Sequence, residues 1–79
     1  MTTLADVSPH VEVVIKDFEN ESACIKRLLS LGIEPGSIVK CEYRTLFNGT
    51  ICISNKNRMI AIDKKEASKI TVTAHPQAL

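Results

Sequence analysis

The stretch that decides the fold is Arg27-Leu28-Leu29-Ser30-Leu31-Gly32-Ile33-Glu34-Pro35-Gly36-Ser37-Ile38-Val39. It contains the end of a helix, a turn and the start of a strand in consecutive residues. Gly32 supplies the left-handed residue that closes a helix. The next four residues fit a type II turn, because Pro35 presets φ at the second position and Gly36 tolerates a positive φ at the third. We therefore predict a helix that ends at Gly32 and a strand that begins near Ser37.

The helix that ends in this stretch covers about residues 21–31, and Asn20 or Ser22 can cap its start. Its apolar arc consists of Leu31, Cys24, Leu28, Ile25 and Leu29. On a helical wheel this arc spans roughly 160°, wider than the ~100° stripe that packs on one sheet. Since such a helix cannot bury its arc alone, we predict an insert that lies on a sheet formed by the rest of the chain.

Short apolar segments separated by turns make up the remainder of the chain. The predicted strands cover residues 11–18, 37–47, 50–55, 58–62 and 69–73. A capping-box pattern at residues 63–66 opens a single helical turn before the last strand, and Leu4 and Val7 can plug one end of the core. Five short, bent strands with that turn predict a mostly β fold, a small Src-homology-3-like barrel with one inserted α-helix.

The central hairpin allows two registers around Asn48-Gly49. A two-residue turn would direct Ile51 and Ile53 away from the core. A three-residue loop over 47–49, with Gly49 left-handed in a bulge, pairs Thr45 with Ile51 and Tyr43 with Ile53 instead. We predict this second register. It places one core at Val39, Cys41, Tyr43, Ile51, Ile53, Leu28 and Leu31.

Length and composition indicate one small domain over residues 1–79, with an ordered core at about 3–73 and a flexible tail at 74–79. The net charge of +1 offers little attraction for nucleic acid or anionic lipid. No apolar run approaches the ~20 residues of a membrane span, and the N-terminus lacks the pattern of a signal peptide. Three cysteines at no paired spacing favour reduced thiols in the cytoplasm.

Several segments between residues 3 and 72 form a combined pattern. They are Thr3-Leu4-Ala5-Asp6, Arg27 to Gly36, Ala61-Ile62, Lys65-Glu66-Ala67 and Ile70-Thr71-Val72. This pattern resembles the FeoA family, small cytoplasmic proteins of bacterial ferrous-iron uptake, and its Leu-Gly-x-x-Pro-Gly motif is the most specific part. The resemblance implies the small barrel and an accessory role to the membrane ferrous-iron permease with its cytosolic GTPase domain. It also implies a cytoplasmic location, peripheral to the inner membrane through that partner.

The chain departs from the pattern of the FeoA family at two places. His10 stands where the family usually has glycine after Pro9, and residues 46–50 replace a segment that is usually rich in proline and glycine. If the hairpin tip makes a contact common to the family, this chain makes it differently.

Residues for catalysis or tight metal binding are not clustered in the sequence. The two histidines lie near opposite ends, the acidic residues are scattered, and no phosphate-binding or dinucleotide motif is present. In the predicted register Cys41 points inward and Cys52 outward, and Cys24 packs as a small hydrophobe. We therefore predict a non-enzymatic protein without a tightly bound cofactor or metal. Fe(II) enters only as the ion that the partner moves, with weak binding by His75 or Cys52 as an alternative.

The wide apolar arc of the helix suggests a contact with another protein. Leu29 lies farthest from the centre of the arc, and we predict a docking surface of Ile25, Arg27, Leu29 and Phe47 on the permease. An imperfectly covered core edge is the alternative interpretation of the same arc. For the whole protein, a metal-sensing regulatory domain related to the C-terminal barrel of iron-dependent repressors and a module that self-associates through strand edges are the alternatives. Few aromatic residues disfavour binding of proline-rich peptides.

Overall fold

The structure is a computed structural model that describes residues 2–19, 22–45 and 49–75. The strands are β1 Glu12–Phe18, β2 Ile38–Arg44, β3 Thr50–Asn55, β4 Arg58–Asp63 and β5 Ile70–Ala74. The helices are α1 Ala23–Ser30 and α2 Lys64–Ala67, and a 3-10 turn at Leu4–Asp6 precedes β1. The strands form one antiparallel sheet in the order β4-β3-β2-β1-β5. The predicted mostly β architecture with an inserted helix is confirmed.

Local signals at both ends of α1 act as predicted. The Ser22 hydroxyl accepts a hydrogen bond from the Ile25 N–H at 3.2 Å and so caps the helix; Asn20 lies outside the described residues. Gly32 follows the helix with φ of 84°. In the turn that comes next, the Ser37 N–H donates to the Glu34 carbonyl at 2.9 Å, and Gly36 has φ of 98°. The predicted helix stop and type II turn are therefore confirmed.

One hydrophobic core lies between the curved sheet, α1 and the N-terminal segment. Leu4 and Val7 are both buried in it, as predicted. Its largest fully buried side chains are Leu4, Ile15, Ile25, Leu28, Ile33, Val39, Cys41, Ile51, Ile53, Ile62 and Ile70. Leu31 is half-buried against this cluster. The helix thus covers the sheet through Ile25 and Leu28, the two side chains of α1 that the core encloses completely.

The predicted register of the β2–β3 hairpin is wrong. Tyr43 pairs with Cys52 rather than Ile53, and Ile51 lies opposite Arg44 rather than Thr45. The cause is a bulge between Cys41 and Tyr43, which inserts an extra residue on β2 and reverses the facing of everything after it. Tyr43, predicted in the core, is consequently 54% exposed.

Two other predictions for the hairpin and the tail have different outcomes. Gly49 has φ of 62°, so its predicted left-handed conformation is confirmed. Residues 46–48, which include Phe47, lie outside the described part of the chain, and so do residues 76–79 of the predicted tail. The last strand extends to Ala74, the first residue of that tail.

The single-turn helix α2 forms where the capping-box pattern predicts it, but the predicted reciprocal cap is absent from the described residues. The Asp63 side chain makes no capping hydrogen bond. Glu66 instead accepts a hydrogen bond from the Ser22 hydroxyl at 2.8 Å. The carboxylate therefore connects α2 to the start of α1 rather than closing its own helix.

Candidate docking surface

The helix α1 presents one large apolar side chain to solvent. Leu29 is 41% exposed, whereas Ile25 and Leu28 are fully buried. Ile25 was included in the predicted docking surface, and this assignment is corrected because a side chain enclosed by the core has no area left for a partner. Of the predicted residues within the described part of the chain, Leu29 and Arg27 are exposed.

Two arginines connect α1 to β4 in opposite directions. Arg27 on the helix donates from Nη2 to the carbonyl of Ala61 at 3.2 Å. Arg58 on the strand donates from Nη1 to the carbonyl of Leu31, just after the helix, at 3.4 Å. Arg58 and Ala61 were not predicted as part of this surface, because their proximity to α1 depends on the order of strands in the sheet, which no local pattern reveals.

A groove of about 500 Å³ runs between α1 and β4. Its lining includes Ala23, Cys24, Arg27, Ala61, Asp63 and Glu66. Acidic side chains lie toward the end of β4, and Arg58 begins that strand. The lining of the groove thus carries Asp63 and Glu66 near the end of β4 and Arg27 from α1, while Arg58 stands at the opposite end of the same strand edge.

The sheet exposes two large side chains, a tyrosine on β2 and a methionine on β4. Tyr43 on β2 and Met59 on β4 are 54% and 61% exposed. The Cys52 thiol on the neighbouring strand raises the pKa of Tyr43 above its ordinary value. Cys52 pairs with Tyr43 and Ala61 and is 5% exposed, so the outward-pointing thiol is covered rather than free.

Of the other two thiols, Cys41 is buried and Cys24 is half-buried. Burial raises the pKa of Cys24, with a further increase from the nearby Glu66 carboxylate, and burial likewise raises the pKa of Cys41. A raised thiol pKa lowers the thiolate fraction at neutral pH, and the thiolate is the form that reacts and binds metals. Across residues 2–19, 22–45 and 49–75, no three side chains of histidine, cysteine, aspartate or glutamate come together in a way that could hold a metal ion.

No helix within the described ranges is both long and apolar enough to cross a membrane.

Comparison with protein families identifies one match. The family model described as the FeoA domain matches residues 2–74, which is nearly the whole chain. No curated protein matches the chain.

Solved structures agree with the family match. The chain is 26% identical to iron(II) transport protein A of Clostridium thermocellum, with a TM-score of 0.82, over 92% of this chain and 45% of that one. It therefore spans less than half the length of that relative. The FeoA of Stenotrophomonas maltophilia, complexed with zinc and described as an SH3 domain protein, is 21% identical over 92% of this chain and 91% of its own, with a TM-score of 0.78.

Regulators contain the same fold as one part of a longer chain. The manganese regulator SloR is 18% identical over 94% of this chain and 34% of its own, with a TM-score of 0.79. At this identity the likeness shows the fold alone. The predicted Src-homology-3-like barrel is confirmed by the S. maltophilia structure, which is described as an SH3 domain protein. The match over residues 2–74 goes further than fold, and the chain belongs to the FeoA family.

Proposed function

We propose that this chain is a non-enzymatic accessory protein of bacterial ferrous-iron uptake that binds the cytosolic part of the ferrous-iron permease and modulates it. The membership in the FeoA family supports a role in ferrous iron transport. The names of two relatives point in the same direction, one an iron(II) transport protein and the other a candidate activating factor of ferrous iron transport. The partner would be the membrane permease with its cytosolic GTPase domain, which would hold this chain at the inner surface of the membrane.

The observation that carries the docking part of the proposal is the exposure of Leu29. This leucine is 41% exposed on a helix whose Ile25 and Leu28 are completely enclosed. Burying the remaining area of one leucine contributes on the order of 1 kcal/mol or more at an interface. With Arg27 exposed on the same helix, α1 offers an apolar contact and a polar rim, the arrangement that interfaces use.

Iron has the role of cargo in this proposal. Cys41 and Cys52 are buried and Cys24 is half-buried, and none of the described residues form a cluster of three metal-binding side chains. Fe(II) is then the ion that the partner moves, and this chain acts by contact with the partner rather than by holding the ion.

Ferrous-iron uptake in cells tests the proposal. A bacterium that lacks its own copy of this protein is complemented with the wild type, Leu29→Asp, Leu29→Lys or Val11→Asp. Both Leu29 variants should lose support of uptake, because each places a charge in the apolar contact. A lysine, unlike an aspartate, suits the C-terminal end of a helix, so a loss shared by both variants is not explained by an unfavourable charge at the helix end.

Val11→Asp is the matched control. Val11 is 44% exposed and precedes β1, so it offers similar apolar area away from α1. This variant should support uptake as the wild type does. Full uptake with folded Leu29→Lys would contradict the assignment of the docking surface, and Phe47, between β2 and β3 in sequence, would then be the next residue to change.

A metal-sensing regulatory domain is the second candidate function. The similarity to the manganese regulator SloR, in which this fold occupies about a third of the chain, favours it. In that case a divalent metal such as Mn²⁺ or Fe²⁺ would change the binding of this chain to its partner. Equal partner binding with and without the metal would argue against a sensor.

A further inference from the structure

The two edge strands of the sheet, β4 and β5, differ in whether another main-chain segment covers their outer edge. On β5 the N-terminal segment covers the outer edge, because the Val72 N–H donates to the Thr2 carbonyl at 2.9 Å and Thr3 pairs with Thr71. The outer edge of β4 faces the groove beside α1. An uncovered edge offers main-chain groups to which another extended chain can pair.

The pairing of β3 with β4 identifies the groups at this edge. A two-residue turn at Lys56 and Asn57 joins the strands, and Asn55 pairs with Arg58 next to it. In an antiparallel pair, bonded and non-bonded positions alternate from that first bonded pair. The N–H and carbonyl groups of Met59, Ala61 and Asp63 therefore point away from β3 at this edge, and Ala61 and Asp63 also line the groove.

Within the described part of the chain, α1 makes one hydrogen bond to these outward groups. Arg27 Nη2 donates to the Ala61 carbonyl at an exposed position. A guanidinium group at this carbonyl occupies the place that the N–H of an added strand would take. Arg27 acts as a removable cover of the edge, comparable to the charged side chains that protect edge strands in other proteins.

The charges along the edge give the orientation and chemistry of the occupant. Arg58 stands at the start of β4, and Asp63 and Glu66 stand at its end. A segment that adds antiparallel, like every other pair in this sheet, begins at the acidic end and finishes at the basic end. Its complementary charges are a basic side chain near its start and an acidic side chain near its finish.

We propose that the β4 edge beside α1 binds an extended segment of the partner protein as an added antiparallel strand, through the outward main-chain groups of Met59 and Ala61, after displacing Arg27 from the Ala61 carbonyl. Affinity in this mode comes from main-chain hydrogen bonds, and selectivity comes from the side chains that meet the groove. This inference rests on the proposed function only in that the occupant belongs to a protein partner.

A synthetic peptide tests the binding mode directly. The probe is a capped peptide of roughly seven alternating valines and threonines, the length of a typical strand, with lysine first and glutamate last. Amide chemical shifts of the isotope-labelled chain are followed by NMR during titration. The Met59 and Ala61 amides should shift most. The same peptide with the two charges exchanged should bind more weakly, because it meets like charges at both ends.

Three variants distinguish strand addition from binding through side chains alone. Ala61→Pro removes the outward N–H and should abolish peptide binding, whereas the matched control Ala61→Val keeps the N–H and should bind. Arg27→Gln frees the Ala61 carbonyl and should bind the peptide roughly twofold to tenfold more tightly, the equivalent of one exposed hydrogen bond. A weaker affinity in Arg27→Gln would overturn the covering role, even if Ala61→Pro failed to fold.

Further outcomes also overturn the inference. Chemical-shift changes centred on Val11 and Ile38 would place the binding site elsewhere. Equal affinity for both peptides would contradict the proposed orientation of the bound segment. Concentration-dependent dimerisation that Ala61→Pro prevents would identify a second copy as the occupant instead. If the cytosolic domain of the permease binds the Ala61→Pro variant normally but not Leu29→Lys, the proposed function stands and strand addition does not.

Discussion

Ser22 and Glu66 are joined by a hydrogen bond of 2.8 Å between the serine hydroxyl and the glutamate carboxylate. The same hydroxyl accepts a hydrogen bond from the Ile25 N–H. The Ser22 oxygen therefore caps α1 and, through its own proton, also bonds to the Glu66 carboxylate on α2. Glu66 also lies 3.8 Å from the ammonium group of Lys69. The contact of Ser22 with Glu66 therefore ties the start of α1 to α2 across 44 positions in sequence, in addition to the burial of Ile25 and Leu28.

Replacing Ser22 by alanine should lower the free energy of unfolding by about 1–2 kcal/mol, because the cap and the contact with Glu66 are lost together. Urea denaturation measures this change. Ser22→Thr keeps a hydroxyl and should remain within roughly 0.5 kcal/mol of the wild type. Equal stability of the alanine variant and the wild type would show that the cap is not significant.

Neighbouring leucines on α1 should respond differently to truncation. Leu28 is fully buried, so Leu28→Ala should cost about 2–5 kcal/mol of unfolding free energy. Leu29 is 41% exposed, so Leu29→Ala should cost only about 1 kcal/mol. Denaturation of the two variants under one condition makes the comparison. Similar costs would mean that Leu29 belongs to the core and not to a docking surface.

His10 occupies a backbone conformation that suits glycine. Its φ is 72°, and its N–H donates to the Cys41 carbonyl at 2.6 Å. The left-handed region costs a residue with a Cβ about 1–2 kcal/mol. Glycine avoids this cost, but it also raises the conformational entropy of the unfolded chain, which offsets part of the stabilisation. We expect His10→Gly to raise the free energy of unfolding by about 0.5–1 kcal/mol.

The control for this change is His10→Ala, which removes the imidazole and keeps the Cβ. It should not be more stable than the wild type. Thermal and urea denaturation of both variants distinguish relief of backbone strain from loss of the side chain. A His10→Gly protein less stable than His10→Ala would show that backbone strain at this position does not limit stability.

The thiols predict how stability changes in alkaline solution. Burial raises the pKa of Cys24 and Cys41 above the ordinary value of 9.0, so the folded chain holds these protons more tightly than the unfolded chain. Their contribution to stability is complete below about pH 9 and is lost as the pH rises through the raised values. The free energy of unfolding should therefore decrease over that range.

The double variant Cys24→Ala/Cys41→Ala tests the cause of this decrease. It should be less stable at neutral pH because of lost packing, and its stability should fall less steeply above about pH 9. Urea denaturation at several pH values gives both slopes. Parallel slopes would assign the alkaline loss to other groups.

Local sequence signals were sufficient for the helix, its ends and the turn that follows. Gly32, Pro35 and Gly36 each act through their own backbone preferences, so the pattern around them predicts structure without tertiary information. Gly49 is similar, and its left-handed conformation agrees with the prediction. The strands followed from alternation of apolar residues, which also placed Ile51 and Ile53 in the core.

Features that depend on the assembled sheet were not predicted. The bulge before Tyr43 exposes this residue, and strict alternation along β2 contains no sign of an inserted residue. Glu66 has the spacing of a capping box but contacts Ser22, because folding brings α1 closer to its carboxylate. The β4 edge and its contact with Arg27 became recognisable only once the strand order was known.

The central claim is that the exposed side of α1 binds the cytosolic domain of the ferrous-iron permease, and calorimetric titration of that purified domain tests it most directly. The wild type and Val11→Asp should bind with the same affinity. Folded Leu29→Lys should bind roughly fivefold or more weakly, because it loses the burial of the exposed part of the leucine, about 1 kcal/mol, and places a charge in the apolar contact. Equal affinity of wild type and Leu29→Lys, or no binding by the wild type, would contradict the claim.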